Sequence, residues 1–216
     1  MIFYCRNHIL DKGLRLTVNG NNHDLTKADF QKMINNDGPE FKVCMKLTQQ
    51  VIDVSGQERQ RVRPAARLLS HTVGKGILHH FGETFKPQSE AVLSINRWFD
   101  AMNSRTKFTT VPERCGFGVH EEIQMKAHSD MEELVLNMDF CSFKKNRRKK
   151  LTVPFQKGIL LSIKSARGLF SEVKAAGVDY LLMCKVNNDG IENFFPEYAV
   201  LVVIILILDQ LQQCTE

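Results

Sequence analysis

The stretch PAARLLSHTVGKGILHHF, Pro64 to Phe81, decides how the chain is read. Its apolar residues Ala66, Leu69, Val73 and Ile77 fall three or four apart, the spacing of one helix face. A proline at the start suits a first turn, where its missing N–H costs nothing. The spacing predicts one helix over 64–81 and puts Arg59, Arg61 and Arg63 at or before its start. The same period recurs on both sides. Thr26 reads as the N-cap of a helix carrying Ala28, Phe30, Met33 and Ile34, ended by Asn36-Asp37-Gly38. Pro87 and Ser89 open another, with Val92, Ile95, Phe99 and Met102 on one face. From Val119 to Met138 the period runs through Val119, Ile123, Ala127, Met131, Leu134 and Met138. Pro154 opens a last long helix, with Ile159, Ile163, Phe170 and Val173 inward and Gly177 closing it.

Strand signals are few. Leu14 to Val18 alternates before Gly20-Asn21-Asn22, and Tyr180 to Val186 is a short apolar strand or turn. The first ten residues form a helical or irregular lead-in. The expected fold is mainly α, with five or six helices and few short strands. Val73, Ile77, Ile95, Phe99, Ile163 and Phe170 are expected to be buried.

Composition narrows the classes. The 216 residues are 43% hydrophobic and 25% charged, which fits a folded chain of one or two domains and excludes disordered or fibrous classes. A net charge of +5 permits a nucleic-acid or phosphate partner without requiring one. With 14 Phe but one Trp and three Tyr, a sheet built for stacking single strands is poorly supplied. The six cysteines show neither C-x-x-C spacing nor clustering with histidine, so a zinc site is not expected. No secretory signal precedes them, and they read as reduced thiols of the cytosol or nucleus. The apolar run from Ala199 to Leu208 falls short of the ~20 residues a membrane span needs. It reads as a buried strand or a helix side, with a membrane anchor the lesser alternative.

Asp53-Val54-Ser55-Gly56-Gln57-Glu58 matches the D-x-x-G-Q-E of small GTPases. No G-x-x-x-x-G-K-[ST] accompanies it to cradle phosphates, so it reads as a polar loop before a helix. The basic run from Lys144 to Lys150 fits either a nuclear localisation signal or phosphate-binding linker, or a solvated connection. Glu121, Glu122, Asp130, Glu132, Glu133 and Asp139 read as the wet face of a helix. Two stretches carry more chemistry. Asp100, in Phe99-Asp100-Ala101-Met102-Asn103-Ser104-Arg105, offers two carboxylate oxygens that match the N1–H and N2–H donors of guanine, a pair adenine lacks. The alternative is a surface residue at a helix end. Asp189 and Glu192, in Asn187 to Phe195, lie three apart on one helical face and are candidate ligands of a divalent cation, or else cap or surface groups.

Taken in order, these segments resemble the P-element-type DNA transposases, the THAP-domain transposase family. Arg6-Asn7-His8-Ile9-Leu10 resembles the Arg-Asn-Asn-x-Leu that follows that family's second catalytic Asp. Leu69-Ser70-His71-Thr72-Val73 resembles the Leu-Ser-x-Ser/Thr-Val of its GTP-binding insertion domain, and Phe99 to Arg105 the Phe-Asp-x-x-Asn-Ser-Arg of the same domain. Pro154-Phe155-Gln156-Lys157-Gly158 resembles the return to the RNase H-like core. Asn187 to Phe195 resembles Asn-Gln-Asp-x-x-Glu-x-Phe-Phe, which carries the last catalytic Glu. The resemblance covers roughly residues 5 to 195.

The resemblance implies a domain plan: residues 1–12 as a remnant of the RNase H-like core, 13–150 as a helical GTP-binding insertion, 151–196 as the return to the core, and 197–216 as a divergent apolar tail. It implies Mg²⁺ held by Asp, Asp and Glu for strand cutting and joining, and GTP bound without hydrolysis. Glu192 would be the catalytic Glu and, with Asp189, a metal ligand. Asp100 and Asn103 would bind the nucleotide. The partners implied are GTP, DNA in the ancestral family and a homo-oligomer, with no membrane, and the location is the nucleus. The chain departs from the pattern. By the resemblance it would start just after the place of the second catalytic Asp, with the first further upstream still; it lacks the THAP zinc finger, has Asn188 where the family has Gln, and turns apolar from Ala199. The expected function is that of a transposase fragment that binds guanine nucleotides and is inactive in transposition alone. The alternatives are a nuclear interaction module without nucleotide and a transposase subunit completed by other chains.

Overall fold

In a computed structural model, residues 1–38, 42–141 and 153–186 are described. The order begins with helix α1 (Ile2–Lys12) and a hairpin of β1 (Leu14–Val18) and β2 (Asn21–Leu25). Helices α2 (Lys27–Asn36), α3 (Gln49–Ile52), α4 (Val62–Leu68), α5 (His71–Phe81), α6 (Lys86–Ala101) and α7 (Glu121–Asn137) follow. A short strand β3 (Met138–Phe140) then precedes the long helix α8 (Pro154–Ala175). The fold is mainly α, as the periodicity predicts, and among the described residues a small antiparallel sheet has the order β2-β1-β3.

The hairpin turns at Asn19-Gly20, where both residues take positive φ, 49° and 79°. That is the geometry of a two-residue turn matching strand twist, and Asn-Gly is the pair that adopts it most readily. β2 itself is polar and shows no apolar alternation. It is held across the ladder by Arg15 and Asp24, which face each other and form a two-pronged ion pair, Nε–Oδ1 2.8 Å and Nη2–Oδ2 2.6 Å. At the start of α2 the Asp29 carboxylate accepts from the Thr26 backbone N–H and hydroxyl, both at 2.8 Å.

The predicted helix over 64–81 is two helices. The chain breaks at Leu69-Ser70, and the Ser70 hydroxyl accepts from the Val73 N–H at 3.4 Å as the N-cap of α5. Apolar spacing continues through the break because Leu69 and Val73 both point into the core, so periodicity alone could not show it. Pro64 does fall in the first turn, that of α4.

One apolar core runs from Ile2 to Ile163 and draws on every helix from α1 to α8. A smaller cluster of Phe117, Ala166, Phe170 and Met183 adjoins it. Val73, Ile77, Ile95, Ile163 and Phe170 are buried as expected. Phe99 is only half-buried, because the inward face at the end of α6 passes through Ile95, Trp98 and Ala101 instead. On α7, Ile123 is exposed and the inward stripe is Gln124, Ala127, His128, Met131 and Val135. Two of those five are polar, which displaced the apolar reading by one position. Gln124 is satisfied by the carbonyls of Cys115 at 2.9 Å and Gly116 at 3.2 Å.

Candidate nucleotide site

Asp100 and Asn103 sit where α6 ends. Asn103 folds back to donate from Nδ2 to the Phe99 carbonyl at 2.7 Å, and its N–H reaches the Asp100 carbonyl at 3.2 Å. These bonds satisfy carbonyls that a helix C-terminus otherwise leaves open, and they fix the backbone that carries Asp100. The Asp100 side chain is 13% exposed. Its Oδ2 accepts from Asn96 Nδ2 at 2.9 Å, one turn earlier, and from Arg114 Nε at 3.1 Å. Burial pushes the Asp100 carboxyl above the usual range, while Arg114 and Asn96 pull it back.

Asn96 works in two directions. Its Oδ1 accepts from the His71 N–H, the first of α5, at 3.0 Å. The start of α5, Asn96, Asp100 and Arg114 thus form one hydrogen-bonded chain. Beside it lies a cavity of about 280 Å³, lined among others by Lys46, Leu47, His71, Thr72, Asn96 and Arg114. Its far wall is the 43–47 segment, tethered by Asp37, whose carboxylate accepts from the N–H groups of Val43 at 3.3 Å and Cys44 at 3.4 Å. Cys44 closes the wall by donating from Sγ to the Thr72 carbonyl at 3.5 Å. Burial, with Asp37 adding to it, raises its thiol to about 11, so it acts as a neutral donor. Lys46 and His71 are exposed at the rim. The cavity therefore has a basic opening at one side and, at the other, Asn96 and Arg114, behind which lies the mostly buried Asp100 carboxylate.

A larger groove of about 520 Å³ lies between β1, α6 and α7. Glu90, Asp130 and Glu133 line it around Arg97, the wrong sign of charge for a polyphosphate, so size does not decide between the two.

The loop after Asn103 is latched to the far end of the described chain. The buried Ser104 hydroxyl accepts from the Met183 N–H, and its carbonyl from the Cys184 N–H, both at 3.1 Å. Asp189 and Glu192 lie outside the described residues. Among the described residues no group of three or more His, Cys, Asp or Glu is arranged to hold a metal ion. The Arg6-Asn7 pair is a fastener: Arg6 is fully buried and donates to the Arg59 carbonyl at 2.6 Å, and Asn7 Nδ2 donates to the same carbonyl at 3.0 Å. It ties α1 to the polar turn at Gly56–Gln60.

Arg114 and Asn96 escaped the reading of the sequence. Asn96 carried a signal, since it lies four before Asp100 and hence on the same helix face. Arg114, beyond a loop, carried none.

No protein-family model and no curated protein matches the chain. A solved structure of the Drosophila P element transposase strand transfer complex does, with a TM-score of 0.75 and 26% identity over 91% of this chain. The chain is similar to P element transposase. It spans 44% of the length of that transposase chain. The likeness supports a transposase-derived protein, and it covers a chain in which, among the described residues, no helix is long and apolar enough to cross a membrane.

Proposed function

We propose that this transposase-derived chain binds guanine nucleotides in the cavity at the start of α5, with Asp100 reading the base and Asn103 holding Asp100 in place. The observation that carries the reading is the mostly buried Asp100 carboxylate behind Asn96 and Arg114, beside a cavity with a basic rim of Lys46 and His71. A carboxylate pairs with the N1–H and N2–H of guanine and meets only a lone pair at N1 of adenine. Lysine and the first turn of a helix suit phosphate groups. GTP is the expected ligand, bound without being hydrolysed.

The domain plan proposed from the family resemblance, with a GTP-binding insertion over 13–150 between two parts of an RNase H-like core, accompanies this reading. Glu192 as catalytic Glu, and Asp189 with Glu192 as ligands of Mg²⁺, remain proposals from the same source. So do DNA as the ancestral partner, self-association and a nuclear location. P element transposase forms a strand transfer complex. This chain alone is proposed not to cut or join DNA, and a metal-dependent nicking assay tests that.

One observation favours a second reading. Asp100 is already satisfied by Asn96 and Arg114, as it would be in an interaction module that binds no nucleotide and uses the ion pair for stability. Asp100→Asn separates the two. Asn presents an N–H where xanthine has a carbonyl, so XTP should replace GTP as the preferred ligand, with GTP weakened about tenfold or more. Competition binding that shows equal affinity for ATP and GTP, or no effect of the substitution, removes Asp100 from base recognition.

A further inference from the structure

Asp100 has less to offer a guanine than its two oxygens suggest. A carboxylate has about four lone-pair sites, two on each oxygen. Oδ2 already accepts from Asn96 at 2.9 Å and from Arg114 at 3.1 Å, which fills it. A guanine edge brings two parallel donors and needs a lone pair on each oxygen. One of the two present donors must therefore leave. Asn96 is fixed at both ends of its amide, because while Nδ2 donates to Asp100 its Oδ1 receives the His71 N–H. Arg114 is not fixed in this way. Its side chain is 55% exposed, and it ends a short 3-10 turn, Pro112–Arg114, between α6 and α7.

Resting on the guanine reading above, we propose that Arg114 is an internal competitor for the base: it covers the recognition edge of Asp100 and must swing away before guanine binds through both donors. The ion pair gates base recognition and leaves the phosphate end of the cavity open. It sets how strongly the site prefers a base with a 2-amino group. Hypoxanthine keeps the N1–H and lacks that amino group, so it needs only Oδ1 and can bind with Arg114 in place. Arg114 therefore opposes GTP more than ITP, although both carry the same triphosphate. The contact also draws the Asp100 carboxyl down against the effect of burial, so both nucleotides are compared at one alkaline pH, which disfavours protonation of Asp100 when its arginine is removed.

The test is calorimetric titration of the full chain, Arg114→Gln and Arg114→Ala with GTP and with ITP at pH 8. Circular dichroism checks that each variant folds. GTP should tighten about five- to tenfold in both variants, the scale of one net hydrogen bond, while ITP changes less than about twofold. A GTP-to-ITP preference that is unchanged or lower, with both nucleotides still binding, overturns the gate and leaves the guanine reading standing. Absence of GTP binding in all three proteins removes the guanine reading, and the gate with it.

Discussion

His128 lies fully buried on α7, stacked on Phe117 at 4.9 Å, and neither ring nitrogen has a hydrogen-bond partner among the described residues. Burial, helped by the nearby Arg167, lowers its pKa to about 4. An ordinary histidine titrates near 6.5, so the unfolded chain takes up the proton first as the solution is acidified. The stability from the neutral ring is present above pH ~6.5 and is lost as pH falls toward 4. Between pH 7 and 5 the loss is on the order of 2 kcal/mol. Urea midpoints at the two pH values should show a smaller pH effect in His128→Phe than in the native chain. Equal slopes would mean that the ring charges in the folded state. At this scale the sequence singles out Asp100 as a candidate through its chemistry and its motif, but not its partner Arg114. Nor did it show that Arg6, a charged residue, is buried whole beneath two backbone carbonyls.

Where α5 crosses α6, glycine permits the approach. A Cβ built on Gly74 would sit 2.7 Å from Leu93 Cδ2 and 2.8 Å from Leu93 Cγ. The Ser89 hydroxyl also donates to the Gly74 carbonyl at 2.8 Å, which fixes the two helices at that point. Alanine gains about 1 kcal/mol of helix propensity over glycine. Overpacking a buried contact costs about 1–3 kcal/mol, and here the obstacle includes a branch carbon and not only a side-chain tip. Gly74→Ala should therefore destabilise the chain by up to about 2 kcal/mol in thermal unfolding. Adding Leu93→Ala should cost less in the Gly74→Ala background than in the native one, and additive effects would refute the clash. The helices α2, α6 and α8 were legible because each buries a periodic apolar stripe, and α7 through Ala127 and Met131 of its mixed stripe. The break between α4 and α5 was hidden by a period that runs through it. The strand β2 was hidden by its polarity, although Asn19-Gly20 is a hairpin signal, and β3 by its position directly against the end of α7.

Across the molecule, the residues that carry the family resemblance divide into two kinds. Arg6, Asn7, Ser104 and Gln156 fasten elements together: Gln156 accepts from the Val153 N–H at 2.8 Å and donates to the Val135 carbonyl at 3.1 Å, which joins the start of α8 to α7. Asp100 and the Ser70–Val73 turn meet instead at the cavity, through Asn96. Fasteners of this sort join elements far apart in the sequence, in a fold shared with P element transposase at 26% identity. The motif pattern made that likeness legible from the sequence, while the cavity depends on segments 43–47, 70–73 and 114 that only the fold brings together. The most direct test of the account is isothermal titration calorimetry of the full chain with GTP and with ATP. The account predicts saturable binding of GTP at one site, with ATP weaker by about tenfold or more. Equal binding of the two nucleotides, or no heat with GTP, would contradict it.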